Sequence, residues 1–304
     1  MLALVNTPSS TAKVALAEVP APQPAANEAL IEVSHFSLNR GELRRLEHRP
    51  EGWVGGQDVA GTVVVAAADG SGPPAGARAV ALVESGGWAE RVAVRSHSLA
   101  VLPEGVSFEQ AACLPVAGVA ALRAVRLLGA LLGRRVLVSG ASGGFGHLAV
   151  QLARVAGGRV TALARPENAA WLGELGAERV VSDLLAPDSL GELFEAVIES
   201  VGGETFRQAL RRTAPEAVVA LVGSTSGEDA RFQIYDFFGH EGVRLQSVFM
   251  YTNPERHGAE LVRLAAQGQL RAEVGWRGSW RAFDQGAEHL RARNSRGKVV
   301  FSVS

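Results

Sequence analysis

Residues 136–153 read VLVSGASGGFGHLAVQLA. A short apolar run enters a cluster of glycines, and a helical pattern leaves it. Glycine weakens strands and helices alike. Glycines concentrated between the two mark a place where something must approach the main chain closely. What lies on either side of this bend decides the fold.

Downstream, strands are predicted at 135–139, 159–164, 179–181, 217–222 and 244–249, and helices at 146–155, 167–175, 189–200 and 203–212. Strands alternating with helices predict a parallel, doubly wound sheet. A last helix at 254–267 precedes a terminal strand in GKVVFSV. Upstream the texture differs. EALIEVSHFSL, DVAGTVVVAA, ARAVALV and WAERVAV are short, valine-rich runs, separated by clusters such as DGSGPPAG. They predict a compact barrel or sandwich. Between the regions, SFEQAACLPVAGVAALRAVRLLGAL reads as helices, with Ser107 as N-cap and Pro115 as a break.

Composition narrows the function. Thirty basic residues face thirty-one acidic ones, so no global field draws nucleic acid or an anionic membrane to this surface. Cys113 is the single cysteine, which excludes an intrachain disulfide and a zinc site built from several thiolates. The opening MLALVNTPSS lacks a basic region followed by an apolar core, and no apolar stretch reaches membrane-spanning length. A cytoplasmic protein is expected.

Within that frame the glycine bend is the first strand-to-helix turn of the doubly wound region. Helix N-terminal amides there can hold a pyrophosphate. A side chain at Gly143 or Gly144 would block the phosphates, and Gly146 lets helix and strand pack closely. The frame of the dinucleotide fingerprint is Ala141–Gly146, so its first glycine is an alanine. The acid expected about 20 positions on is missing. The second strand, RVTALAR, ends instead in Arg165. A guanidinium pairs with a 2′-phosphate that an acid would repel, which favours NADPH over NADH. The competing reading is a solvated surface arginine.

SLNRGEL, GGQDVAGTV, SGGWAERVAV, LPVAGVAAL, SGASGGFG and RGKVVFSV occur in this order. In these motifs the chain resembles the medium-chain dehydrogenase/reductase superfamily, and within it the zinc-independent quinone oxidoreductase and enoyl reductase branch. The resemblance implies an α/β architecture: a GroES-like β-barrel catalytic domain at 1–115, completed by 255–304, and a Rossmann doubly wound domain at 116–254. It places substrate and nicotinamide in a cleft between them. It also implies a homodimer paired through the last Rossmann strand.

Zinc-bearing relatives place metal ligands at positions matching Asn39, Gln57 and Val116, beside an acid matching Asp58. Valine ligates nothing, and Asn and Gln are poor zinc donors, so no metal is expected. Asn39 becomes the main polar candidate for catalysis, with Glu42 and His48 beside it. Their bland readings are a turn asparagine, a helix cap and a solvated helix. The tyrosine that many enoyl reductases of the branch carry in this region is absent, since Tyr235 and Tyr251 lie far downstream. The resemblance carries cofactor contacts over to Asn39, Val116, Ser142, Gly143, Gly144, Phe145, Val222, Gly223, Ser224, Thr225, Phe249 and Lys298, to which the strand reading adds Arg165.

The expected activity is hydride transfer from NADPH to a quinone or an α,β-unsaturated carbonyl of a small molecule. Two alternatives stay open on the same fold: a biosynthetic tailoring reductase or cyclase, and a dinucleotide-binding protein without turnover.

Overall fold

The computed structural model describes residues 1–304 except 11–12, 187–190, 192, 249–254, 293–295 and 304. The chain divides into two compact units, residues 1–119 with 253–304, and residues 120–252.

The first unit opens with β1 (Leu2–Asn6) and β2 (Val14–Glu18), an antiparallel pair. Then come β3 (Glu28–Leu38), α1 (Arg40–Leu46), β4 (Asp58–Val65), β5 (Arg78–Leu82), β6 (Arg91–Arg95), β7 (Leu99–Val101) and α2 (Phe108–Ala112). The valine-rich runs are strands, as their β-branched composition requires. Ser107 caps α2 by accepting the Gln110 amide, and Pro115 opens the next helix, α3 (Pro115–Leu127).

The second unit holds β8 (Arg135–Val138), α4 (Gly146–Val155), β9 (Arg159–Leu163), α5 (Ala169–Glu174), β10 (Arg179–Val181), β11 (Phe194–Glu199), α6 (Gly203–Leu210), β12 (Thr213–Leu221) and β13 (Arg244–Ser247). Among the described residues its six strands are all parallel, in the order β10-β9-β8-β11-β12-β13. The order reverses between β8 and β11, which is where doubly wound sheets bind their ligands.

The helix predicted over 189–200 is a correction: Phe194–Glu199 is strand β11. It lies between β8 and β12, with Ala196, Val197 and Ile198 fully buried. A central parallel strand covered on both faces has no alternation to betray it.

The chain then returns to the first unit with α7 (Glu255–Ala266), β14 (Val274–Ser279), α8 (Phe283–Arg291) and β15 (Lys298–Ser302). β15 inserts beside β3, completing the order β14-β15-β3-β4-β5-β7, with β6 on the other end of β3. Phe36, Trp88, Phe283 and Phe301 stack beneath this junction, with Phe36 and Phe301 ring centroids 5.1 Å apart. Among the described residues no helix is long and apolar enough to cross a membrane.

Candidate functional site

In the first unit the site grows from strand register. β3 has β15 on one side and β4 on the other, with Leu38 opposite Val299 and Ser37 opposite Asp58. Ser37, Asn39, Asp58 and Lys298 therefore meet at one end of three adjacent strands. Asp58 Oδ1 accepts the Val116 amide at 2.7 Å. Its Oδ2 accepts Ser37 Oγ at 2.5 Å, Asn39 Nδ2 at 2.8 Å and Lys298 Nζ at 3.1 Å. Lys298 also donates to Asn39 Oδ1 at 2.5 Å. Asp58 is 0% exposed and Lys298 3%.

Glu42 joins from α1. Its Oε2 accepts the Asn39 amide at 2.7 Å and Asn39 Nδ2 at 3.1 Å, and its Oε1 accepts the Gln57 amide at 2.7 Å. Gly56 makes the last bond possible. It turns at φ +97°, and a Cβ there would lie 2.4 Å from the Trp88 amide nitrogen. Burial, reinforced by the Asp58 carboxylate, pushes the Glu42 carboxyl up to about 8, against hydrogen bonds from Asn39 and attraction to Lys298.

The structure thus brings Asn39, Glu42, Val116 and Lys298 into one buried network. His48 sits exposed in the turn after α1 and shares no hydrogen bond with it among the described residues. Trp53 lies under two guanidinium groups, those of Arg45 and Arg49. Cys113 is buried, with its thiol on the Glu109 carbonyl, and burial pushes its pKa up to about 12, so it stays protonated.

A metal does not fit this donor set. Among the described residues no group of three or more His, Cys, Asp or Glu side chains could hold one. The lone carboxylate at the matching positions, Asp58, has both oxygens engaged by N–H or O–H donors. One of these donors is itself a cation.

In the second unit the glycine bend runs from β8 into α4. A Cβ at Gly146 would lie 2.2 Å from the Gly140 carbonyl oxygen, so only glycine lets the helix start against the turn. At Gly143 the same test gives 3.4 Å, an ordinary contact. Gly143 through Phe145 are partly open to solvent, as is Ser142. His147, buried in α4, bonds the Gly143 carbonyl at 2.9 Å and stacks on Trp171. A nucleotide diphosphate fits such a bend: glycine removes the side chains in its path, and the helix dipole favours negative charge.

A second buried carboxylate secures the surroundings. Glu199, at the end of β11, accepts Ser139 Oγ at 2.9 Å and the amides of Val201 and Gly202. Burial raises its pKa against those donors. Ser139 Oγ takes the Ser200 amide, and Thr225 Oγ1 donates to the Ser200 carbonyl at 2.6 Å. The ends of β8, β11 and β12 are thereby tied together. Val222, Gly223, Ser224 and Thr225 form the loop after β12, with the Val222 amide on the Glu199 carbonyl. Arg165 follows β9, half-exposed, and pairs with Glu167 at 3.2 Å. Phe249 lies outside the described residues.

Sequence reasoning passed over Ser37, Ser139, His147 and Glu199. It saw Asp58 only as the remnant of a metal-site acid. No spacing rule connects Asp58 to Lys298 across 240 residues.

The family model described as "Zinc-binding dehydrogenase" matches residues 144–267. A chloroplast envelope quinone oxidoreductase homolog of Arabidopsis thaliana is 34% identical over 211 residues, covering 62% of this chain and 64% of that protein. The chain thus matches a little under two thirds of that relative's length. An acryloyl-coenzyme A reductase of Metallosphaera sedula is 25% identical over 319 residues, covering 94% of this chain and 95% of the other. A mycobacterial protein solved in complex with NADPH superposes with a TM-score of 0.86 at 26% identity, over 100% of both chains. Two sheets of the expected kinds, motifs in the expected order and full-length structural likeness lead to one assignment: the chain belongs to the medium-chain dehydrogenase/reductase superfamily.

Proposed function

We propose that the chain is a zinc-independent, NADPH-dependent reductase of quinones or α,β-unsaturated carbonyl compounds, acting in the cytoplasm as a homodimer. The observation that carries this reading is the glycine bend at the β8/β11 switch point of a six-stranded parallel sheet. When bound, the dinucleotide supplies a hydride from its nicotinamide ring. The chain has to hold that dinucleotide and stabilise charge developing on the acceptor oxygen.

The bend, Ser142 to Phe145, holds the pyrophosphate. Arg165 meets the 2′-phosphate, and Val222 to Thr225 with Phe249 complete the cofactor contacts. Asn39 and Lys298 stand at the reacting end, where the Asn39 amide, with both Nδ2 hydrogens on Glu42 and Asp58, orients the Lys298 ammonium through its Oδ1. The Val116 amide is engaged by Asp58, so its contribution to the cofactor is its side chain. Glu42 positions Asn39 through its amide and its Nδ2. Support for a metal-free site comes from the donor chemistry, in which an ammonium stands among the positions expected for metal ligands.

The homodimer reading draws on β13. It is the edge of the sheet and exposed throughout, and Ile234, Tyr235 and Phe238 before it are each more than 60% exposed. Light scattering on a size-exclusion column tests the dimer.

The deciding experiment is a steady-state assay with NADPH and NADH against simple quinones, enones and enoyl thioesters, run beside a fluorescence titration of each cofactor. Oxidation of NADPH by at least one acceptor class is expected. Quenching without turnover would replace this reading with a binding protein.

A further inference from the structure

We infer that the second unit carries an anion site for a single phosphate group, free or as a small monoester, at the amino ends of β8, β9 and β10, away from the glycine bend.

Strand register builds it. Arg135 on β8 lies directly opposite Arg159 on β9, and Thr161 on β9 directly opposite Arg179 on β10. Partners in register project from one face of a sheet, as do residues two apart on a strand. Arg135, Arg159, Thr161 and Arg179 therefore share a face. Two residues further along the strands, that face carries Leu137, Leu163 and Val181 of the apolar core. The arginines stand where the core ends. With Glu178 and Thr161 they line a cavity of about 180 Å³.

Three observations point to an anion. Like charges directly opposite one another destabilise a sheet, yet Arg135 and Arg159 are paired in this way. The second is that each guanidinium is held by one edge only. Arg159 Nε meets Glu178 Oε2 at 3.1 Å, and Arg135 Nε donates to the Leu193 carbonyl at 2.6 Å. Glu195 Oε2 is 3.6 Å from Arg135 Nη2, outside hydrogen-bond reach. The terminal nitrogens of both arginines thus make no hydrogen bond among the described residues. The third is Thr161. It lines the cavity at 7% exposure, and its hydroxyl has no hydrogen-bond partner among the described residues. A buried hydroxyl left unpaired costs stability. An oxyanion in the cavity accepts from it.

Size and chemistry set the ligand class. Planar guanidinium forks match the oxygens of a phosphate group. The cavity is smaller than the roughly 300 Å³ at which sites for drug-sized ligands begin, so it takes a phosphate group and not a dinucleotide. Arg135 and Gly140 are separated by roughly 16 Å of extended chain, which makes this site distinct from the bend. Glu178, the acid in the lining, is turned onto Arg159.

Calorimetry on the full chain saturated with NADP+ tests the site. Inorganic phosphate should bind with a dissociation constant below about 1 mM, and sodium chloride at equal ionic strength should give no heat beyond dilution. Arg159→Gln and Arg135→Gln should each weaken phosphate binding at least tenfold. Thr161→Val, close in shape and equally suited to a strand, should weaken it at least fivefold. Gly143→Ala should leave it within twofold. Circular dichroism melts confirm that each variant folds, and the two partly exposed arginines offer independent arms. Glycerol 3-phosphate binding more tightly than inorganic phosphate assigns the site to an ester, and equal or weaker binding assigns it to the free anion.

No binding of phosphate by the wild-type chain overturns the proposal. Binding that the arginine and threonine variants leave unchanged does so too. Binding that Gly143→Ala abolishes places the anion on the bend and overturns it equally. The site does not depend on the reductase reading: should NADP+ fail to bind, the same titrations on the free chain still locate the anion.

Discussion

Lys298 Nζ lies 3.1 Å from Asp58 Oδ2, with both side chains sealed from solvent and 240 residues of chain between them. The strands that carry them are not paired with each other; each pairs with β3. Removing one partner strands the other charge in a buried site. Asp58→Ala is expected to lose about 3–5 kcal/mol of unfolding free energy. Lys298→Met combined with Asp58→Ala leaves neither charge and should lose less than the sum of the two single changes. Urea unfolding of the four proteins measures the coupling, and strictly additive losses would mean that the pair is not energetically linked.

The glycine bend separates two roles by geometry. Gly143→Ala meets only an ordinary contact at 3.4 Å, so its melting temperature should stay near wild type while NADPH binding weakens at least tenfold. Gly146→Ala meets the Gly140 carbonyl at 2.2 Å and should lower the melting temperature itself. Thermal melts paired with fluorescence titrations test this. Equal affinity in Gly143→Ala and wild type would remove the pyrophosphate from the bend.

Arg165 is half-exposed and paired with Glu167, so replacing it should leave stability almost unchanged. Arg165→Asp is expected to reverse the preference for NADPH over NADH, read as the ratio of kcat/KM values. A ratio equal to wild type would show that discrimination lies elsewhere.

Glu42 makes stability depend on pH with a defined sign. Its carboxyl titrates near 4.5 when unperturbed and is pushed up to about 8 in the fold, chiefly by burial. Between these values the native state holds a proton that the unfolded chain has released. Unfolding free energy therefore falls as pH rises through that window, and is level on either side as far as this group is concerned. Glu42→Gln should flatten that fall. Urea unfolding at pH 5, 6, 7 and 8 checks it, and parallel curves for the two proteins would contradict the assignment.

Glu199 serves the amides of Val201 and Gly202 and the Ser139 hydroxyl from a position 1% exposed. Glu199→Ala leaves those donors without their acceptor. A loss of about 1–3 kcal/mol is expected, with weakened NADPH binding because the ends of β8 and β11 loosen. Hydrogen exchange at the Val201 and Gly202 amides should accelerate, and unchanged exchange would argue that another group holds them.

Much of the fold is local information and was therefore legible. The 11-residue strand Glu28–Leu38 has the bounds of the run EALIEVSHFSL, because its composition already dictates extended chain. The glycines of residues 140–146 announced a strand-to-helix bend that the structure contains. Where context overrides pattern, the reading failed. Phe194–Glu199 looked helical because a strand buried on both faces has no period of two, and only its neighbours β8 and β12 make it a strand.

What the sequence determined by itself is what adjacent residues decide through their own backbone preferences: the two textures of chain, the glycine bend, the single thiol and the absence of multi-cysteine metal chemistry. What only the tertiary structure decided is who meets whom. Ser37, Asn39, Asp58 and Lys298 converge because three strands from distant segments align in register, and burial there makes their charges interdependent. A hydrogen bond between residues 240 apart is set by the packing of the sheet, and no local propensity encodes it.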